Sequence, residues 1–322
     1  MDSKKKKILI GTGITAAAVA GASYAATKFL LKTALDRKEP ALYGKVKNQL
    51  SGPYRETEAY ESAKPLVEAL HARESEMERV EITSHDGIKL IGHFRKCENE
   101  KRIIIAVHGW RSTWFKDFAG VADFWNNNGC SVLYVEQRGQ NESEGDYIGF
   151  GTIERYDCLD WIDWVSQRNE ANSPVYLAGI SMGAATVLMA AGLDLPDCVH
   201  GIMADCGFTS ADDIWKHIAK NNLHMSYGII GAMARDICKR KLDVDVKACS
   251  TVDALKKSKT PVLLIHGADD HFVPVTMTYL NYAVCASPKR MLIVPGADHG
   301  MSYIVDKVGY ENTVKRFFND FD

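Results

Sequence analysis

The chain has 322 residues, of which 46% are hydrophobic and 25% are charged. This composition is typical of a packed globular domain and excludes a disordered or fibrous protein. The formal net charge is only -2, so no strong field would attract nucleic acid, and we expect no nucleic-acid partner.

The first forty residues are predicted to form a membrane or targeting segment. Residues 8–27 carry no charge, and basic residues flank them on both sides. As a helix, this stretch would span about 30 Å, the hydrocarbon thickness of a bilayer. It is rich in Ala, Gly and Thr, so three interpretations stay open. A single membrane anchor of uncertain orientation is favoured; the others are a signal peptide cleaved after a residue such as Ala22, followed by secretion, and a helix lying on a surface.

Residues 41–78 are predicted to form a linker and a lead-in helix, and residues 79–322 the folded domain. In that domain, short β-branched runs alternate with helical stretches, which is typical of parallel strands joined by crossover helices. The turn signal Asp86-Gly87 predicts an antiparallel hairpin between the first two strands. The eight predicted strands are Arg79 to Thr83, Ile88 to Phe94, Arg102 to Val107, Ser131 to Val135, Pro174 to Ala178, Gly201 to Ala204, Pro261 to Ile265 and Arg290 to Val294. We expect an α/β fold with a mostly parallel sheet and helices on both faces.

A serine lies in a turn directly after the fifth predicted strand. The sequence Gly179-Ile180-Ser181-Met182-Gly183 precedes a helix of small residues. A G-x-S-x-G motif between a strand and a helix is typical of a nucleophilic serine, which a strained turn exposes at the carboxyl edge of the sheet. Ser181 is therefore the predicted nucleophile; the alternative is an ordinary turn that contains a serine.

A nucleophilic serine needs a base, and the base needs an acid that orients it. Asp270 follows the seventh predicted strand and His299 follows the eighth. Because parallel strands end at the same edge of a sheet, we expect both residues to lie near Ser181. Asp205, at the end of the sixth strand, is the second candidate for the acid.

These motifs, in this order, resemble the α/β-hydrolase superfamily over about residues 79 to 320. The pattern H-G-x-x-D-x-x-V-P matches His266 to Pro274 and assigns the acid to Asp270 rather than to Asp269. His299 matches the catalytic histidine of the superfamily. The segment from Glu136 to Gly145 resembles the loop D-x-R-G-x-G-x-S-x-G, except that Gln140-Asn141 stand where His-Gly is common.

The resemblance also implies the rest of the active site. It assigns the oxyanion donors to the backbone N–H groups of Met182 and Trp110, with Gly109 allowing close approach of the backbone and His108 having a structural role. A helical insertion over residues 206–255 is expected to form a small lid. By position, an apolar acyl or alcohol pocket is predicted around the lid, Trp110, Trp114 and Phe208.

The predicted activity is hydrolysis of a carboxylic ester, with a small-molecule or lipid-like acyl substrate. A peptidase, an amidase or an acyltransferase on the same triad, or a non-catalytic binding protein on this fold, are the alternatives. The eight cysteines include no C-x-x-C pair and no spacing typical of a zinc site. For the acyl-enzyme reaction on Ser181, neither a metal nor an organic cofactor is expected. The oligomeric state is not predicted.

Overall fold

The structure, a computed structural model, describes residues 21, 23–40, 57–247 and 249–322. Among these residues, eight strands form one sheet in the order β1-β2-β4-β3-β5-β6-β7-β8. The strands are β1 (Glu78–Thr83), β2 (Lys89–Arg95), β3 (Arg102–Val107), β4 (Cys130–Val135), β5 (Val175–Ile180), β6 (Val199–Asp205), β7 (Val262–Gly267) and β8 (Lys289–Val294). Strand β2 pairs antiparallel with β1 and with β4, and the remaining pairs are parallel. The predicted sheet and its hairpin are confirmed.

Helices connect the strands and cover both faces of the sheet. The first, α1, spans residues 23–35. The others are α2 (Glu58–Ala72), α3 (Trp114–Phe118), α4 (Ala122–Asn127), α5 (Glu154–Ser166), α6 (Met182–Ala190), α7 (Ala211–His217), α8 (Gly228–Leu242), α9 (Thr251–Leu255), α10 (Thr276–Val284), α11 (Ser302–Val305) and α12 (Lys307–Phe321). The expected lead-in helix corresponds to α2.

The central strand β3 supplies apolar side chains to two cores, one on each face of the sheet. Ile103 and Ile105 belong to the core that contains Trp161 of α5. Ile104 belongs to the opposite core, which contains Phe317 of α12. Alternate residues of a strand point to opposite faces, and all six residues of β3 are buried. After Arg102, β3 contains no polar residue, which is the pattern expected of a strand covered on both faces.

A third apolar cluster joins α1 to the helical insertion. It contains Leu31 and Leu35 of α1, Ile214 of α7 and Ala234 of α8. An ion pair of 2.8 Å between Lys241 of α8 and Asp36 also links the two elements. Residues 23–35 therefore pack against the folded domain, although the sequence assigned them to a separate N-terminal segment.

Half of the predicted membrane segment, residues 1–20, and the possible cleavage position Ala22 lie outside the described residues. Within the described ranges, no helix combines the length and the apolar character needed to cross a bilayer. The membrane anchor, and the cleaved signal as its alternative, therefore stay predictions. What the structure adds is the position of α1, which contains the last residues of the uncharged stretch.

Helix α6 comes very close to strand β3 at Gly183. A Cβ atom built on Gly183 would lie 1.9 Å from the carbonyl oxygen of Val107 and 2.7 Å from that of His108. Both neighbours are backbone atoms, so no side-chain rotation could relieve the overlap. The position of α6, and of the turn that precedes it, thus depends on a residue without a side chain.

We predict that Gly183→Ala destabilises the protein by about 1–3 kcal/mol or more, because the added methyl group forces the helix away from the strand. Urea unfolding would measure the change in free energy. Gly228→Ala is the matched control, because a Cβ atom on Gly228 meets nothing within 4 Å. Equal stability of the two variants would contradict the prediction.

Candidate active site

Ser181 occupies a strained turn between β5 and α6. Its backbone angles are φ 56° and ψ -116°, in a region that residues other than glycine rarely adopt. The N–H of Ser181 donates to the carbonyl oxygen of Asp205 at 2.9 Å. A Cβ atom on Gly179 would lie 2.3 Å from the carbonyl oxygen of Gly183, so this turn is too tight for a larger residue there.

A chain of hydrogen bonds joins Ser181, His299 and Asp270. The distance from Oγ of Ser181 to Nε2 of His299 is 2.9 Å. On the other side of the ring, Nδ1 of His299 lies 2.7 Å from Oδ2 of Asp270. The structure thus brings together the three residues that the sequence predicts. The hydroxyl can donate to Nε2 while Nδ1–H donates to the carboxylate, which is the arrangement that a general base requires.

The carboxylate of Asp270 is buried and accepts hydrogen bonds on both oxygens. Its Oδ1 accepts the N–H groups of Phe272 at 2.9 Å and Val273 at 2.8 Å. Its Oδ2 also lies 3.1 Å from Nε2 of His266. Burial alone would raise the pKa of Asp270, but the charge of His299 and the hydrogen bond from His266 outweigh it and hold this pKa below its ordinary value. Asp270 therefore stays ionised.

The contribution of His266 was missed at the sequence level, where His266 served only to align a motif. The spacing of four residues between His266 and Asp270 was the available signal. In the structure, Nδ1 of His266 lies 2.7 Å from the hydroxyl of Thr278. With the hydroxyl donating to Nδ1, the proton of His266 is on Nε2, which lies 2.9 Å from the carbonyl oxygen of Val273 and 3.1 Å from Oδ2 of Asp270.

The environment of His299 favours its protonated form. Burial lowers the pKa of His299, but the negative charge of Asp270 outweighs this effect and raises the pKa well above 6.5, with a smaller contribution from the thiol of Cys206. The ring of Phe272 packs edge-on against the imidazole, 5.0 Å between centroids. Cys206 directly follows β6, and no sequence motif pointed to it.

The other acid candidates have different partners. Oδ1 of Asp205 accepts the hydroxyl of Ser302 at 3.1 Å, and burial raises the pKa of Asp205 to about 6. Asp269 is exposed, and its carboxylate accepts the N–H of Gly296 at 2.9 Å. Asp270 is the candidate whose carboxylate contacts the imidazole of His299.

The residues predicted to bind the oxyanion lie beside Ser181. Met182 begins α6, and the first N–H groups of a helix have no acceptor within it. A Cβ atom on Gly109 would lie 3.3 Å from that of Ser181, so the loop that continues into Trp110 runs beside Ser181. His108 is buried, with Nδ1 2.7 Å from the carbonyl oxygen of Gly109 and Nε2 accepting the N–H of Gln137 at 3.2 Å. Both ring nitrogens of His108 are thus used structurally.

An apolar cavity of about 850 Å³, counting its opening to solvent, begins at Ser181. Its walls include Trp110 and Phe208, as predicted, together with Phe272. The helical insertion contributes further apolar residues, namely Ile214, Trp215, Ile218, Ala219, Leu223, Tyr227, Ile230 and Ala234. Within the described part of the chain, no charged side chain lines the cavity.

The prediction that Trp114 lines this pocket is wrong. Trp114 is the first residue of α3 and is 1% exposed. Its ring lies 5.1 Å from that of Tyr134 and 5.0 Å from that of His93. The hydroxyl of Thr113 caps α3 by accepting the N–H of Lys116. A helix that starts there directs Trp114 into the core beside Phe118, away from the cavity.

One group of possible metal ligands coincides with the triad. The described residues Cys206, Asp270 and His299 have ligand atoms within 4.8 Å of one another. Burial raises the pKa of the Cys206 thiol to about 11. Asp270 and His299 already hydrogen-bond to each other. The residues therefore fit a proton relay better than a metal site.

Comparison with known proteins identifies the family. The model of the prolyl oligopeptidase family matches residues 116–321. The chain belongs to this family. Among curated relatives of this family member, the uncharacterized protein YqkD of Bacillus subtilis is 26% identical over 194 residues, covering 60% of the chain and 64% of YqkD. The chain thus spans slightly less than two thirds of that relative.

Solved structures have the same fold as this member of the prolyl oligopeptidase family. The Pyrococcus furiosus esterase Pf2001 aligns with a TM-score of 0.61 and 23% identity, over 76% of the chain and 92% of the esterase. A Pyrococcus horikoshii acylaminoacyl peptidase aligns with a TM-score of 0.59 and 18% identity, over 76% of the chain and 41% of the peptidase. The predicted membership of the α/β-hydrolase superfamily is confirmed.

The raised pKa of His299 predicts the pH dependence of any reaction that uses this residue as a base. The neutral imidazole is the active form, so kcat/KM should increase as the pH rises through a pKa above the ordinary value of about 6.5. In Asp270→Asn the carboxylate that raises this pKa is lost. The midpoint should then shift to lower pH, and kcat should fall by up to about 10⁴-fold, as in serine proteases.

Asp269→Asn is the matched control for this experiment, because Asp269 does not contact His299. Its pH profile should follow that of the parent. The prediction fails if both variants keep the parent midpoint, since the charge of Asp270 would then not control the titration of His299.

Proposed function

We propose that this chain is a serine hydrolase that cleaves carboxylic esters through an acyl-enzyme on Ser181. The observation that carries the proposal is the pair of hydrogen bonds on His299, 2.9 Å to the hydroxyl of Ser181 and 2.7 Å to the carboxylate of Asp270. Membership of the prolyl oligopeptidase family supports the same chemistry. The strained turn that places Ser181 against the cavity is a further argument for it.

The first half of the proposed reaction acylates Ser181. Oγ attacks the carbonyl carbon of the ester while its proton passes to Nε2 of His299. The charge of Asp270 stabilises the imidazolium that forms. The N–H groups of Met182 and Trp110 donate to the oxyanion, each contributing about 3 kcal/mol. The bond between the carbonyl carbon and the alcohol oxygen then breaks, and His299 returns the proton to the departing alkoxide.

The second half releases the acid. A water molecule attacks the acyl carbon and gives one proton to Nε2 of His299. The bond to Oγ of Ser181 breaks, and the serine oxygen takes that proton back. The products are one carboxylic acid and one alcohol per ester consumed, and this route uses neither a metal nor an organic cofactor. The steps need only the relay of Ser181, His299 and Asp270 and a site from which bulk water is partly excluded.

The cavity favours an ester with an apolar acyl group over a peptide. Its walls are aromatic and aliphatic, and no charged residue of the described chain lines them, so a charged acyl group would lose its hydration without gaining a partner. A peptidase is the second candidate. The family is named after prolyl oligopeptidase, and a solved acylaminoacyl peptidase has the same fold.

The nucleophile is tested by covalent labelling with a fluorophosphonate probe. The parent protein should be labelled, and Ser181→Ala should not be, because an activated hydroxyl group displaces fluoride from the probe and becomes phosphonylated. Ser166→Ala, at the end of α5, is a control for the loss of a serine and should label like the parent. Persistent labelling of Ser181→Ala would exclude Ser181 as the nucleophile.

Substrate class is tested by comparing p-nitrophenyl esters with aminoacyl p-nitroanilides. We expect a higher kcat/KM for the esters, and loss of this turnover in Ser181→Ala. Faster cleavage of the anilides would favour the peptidase. If neither class of acyl compound is turned over, the chain is better explained as a binding protein on this fold.

A further inference from the structure

Helix α1 forms one wall of the cavity that contains Ser181. Its residues Thr27, Leu30, Leu31 and Ala34 line the cavity. Their spacing of three and four residues puts them on one face of the helix. Thr27 and Leu31 are buried, with 1% and 5% exposure, whereas Lys32, on another face, is exposed. The helix therefore has a pocket side and a solvent side.

The pocket side of α1 is apolar even where the sequence has hydroxyl groups. The hydroxyl of Thr27 donates to the carbonyl oxygen of Ser23 at 2.8 Å, and that of Thr33 donates to Phe29 at 2.9 Å. Such bonds to the preceding turn satisfy the hydroxyl within the helix. The hydroxyl of Thr27 therefore needs no polar partner from a ligand in the cavity.

The loop beside the nucleophile holds the C-terminal end of α1. Nε1 of Trp110 donates to the carbonyl oxygen of Ala34 at 2.9 Å. The guanidinium of Arg111 donates to the carbonyl oxygens of Thr33 at 2.9 Å and Asp36 at 2.6 Å. The last carbonyls of a helix have no partner within it, and a cation there also interacts favourably with the helix dipole. Trp110 is also the residue whose backbone N–H is proposed to bind the oxyanion.

Gln140 and Asn141, which stand where the superfamily commonly has His-Gly, also help to hold α1 and the residues after it. The side chain of Gln140 accepts the N–H of Arg111 at 2.6 Å. The carbonyl oxygen of Asn141 accepts a hydrogen bond of 2.7 Å from the guanidinium of Arg37, just beyond α1. The loop therefore supports both the segment that anchors α1 and the residues that follow the helix.

We propose that α1 is part of the substrate site, and that Leu31 limits the length of the apolar acyl chain that fits between α1 and the helical insertion. The inference rests on the proposed esterase function and names its substrate class: esters of aliphatic acids with a medium or long chain. The insertion contributes Ile214, Leu223 and Ile230 to the lining of the same cavity. An aliphatic chain would bury its surface against both walls and leave no polar group without a partner.

The test compares two tryptophan substitutions in the full chain. Leu31→Trp adds volume on the pocket side of α1, and Lys32→Trp adds the same side chain on the solvent side. The substrates are p-nitrophenyl acetate and p-nitrophenyl decanoate. Each methylene that Leu31→Trp excludes from the cavity should cost about fourfold in binding. In Leu31→Trp we expect kcat/KM for the decanoate to fall at least about tenfold relative to that for the acetate. In Lys32→Trp the ratio of the two kcat/KM values should match that of the parent.

Two further variants guard against a simple folding defect. Leu30→Trp narrows the same cavity from the neighbouring position, and Leu31→Ala widens it. The first should again reduce the ratio of decanoate to acetate turnover, and the second should increase the relative turnover of longer chains. Fluorophosphonate labelling at the parent rate would show that the triad of each variant is intact.

The outcomes separate this inference from the proposed function. If ester turnover depends on Ser181 but the chain-length ratio is unchanged in Leu31→Trp, or falls equally in Lys32→Trp, the role of α1 in the substrate site is wrong. Equal loss of acetate and decanoate turnover in all three pocket variants would also overturn it, because α1 would then be purely structural. Absence of ester turnover in the parent would refute the proposed function itself.

Discussion

The hydrogen bond between Nδ1 of His299 and Oδ2 of Asp270 is the interaction on which the geometry of the site depends. It orients the imidazole so that Nε2 faces Ser181. Asp270 is oriented in turn by the N–H groups of Phe272 and Val273 and by His266. A buried carboxylate is costly unless it is paired and hydrogen-bonded. The N–H groups of the loop after β7 offset this cost by donating to Asp270. They thereby fix the orientation of the imidazole of His299.

The edge of the sheet at which the triad assembles concentrates backbone strain. Arg111, Ser181 and Cys206, in the segments after β3, β5 and β6, have φ values of 47°, 56° and 50°. Each of their N–H groups has an acceptor: the side chain of Gln140 for Arg111, and the carbonyl oxygens of Asp205 and Ile265 for Ser181 and Cys206. Strained conformations persist where the surrounding structure holds them in this way. Ser181 is thus held beside the cavity by neighbouring strand ends.

Helix α1 connects this framework to the apolar cavity. Trp110 contacts it through the indole and lines the cavity, while its backbone runs beside Ser181. A change in the position of α1 would therefore affect both the shape of the pocket and the loop proposed to bind the oxyanion. This physical link gives an N-terminal segment an influence on a site that is built from strand ends much later in the chain.

The sequence by itself determined the sheet, the turn at Ser181 and the convergence of Ser181, Asp270 and His299. Those features follow from local signals, namely apolar strands, turn residues and the rule that parallel strands end at one edge. Tertiary structure decided the rest. Trp114 points into the core because α3 begins there. Helix α1 lines the pocket because the insertion provides an apolar surface on which it packs. Cys206 contacts His299 because the loops after β6 and β8 converge. Each of these depends on packing between segments distant in the chain, which local residue patterns do not encode.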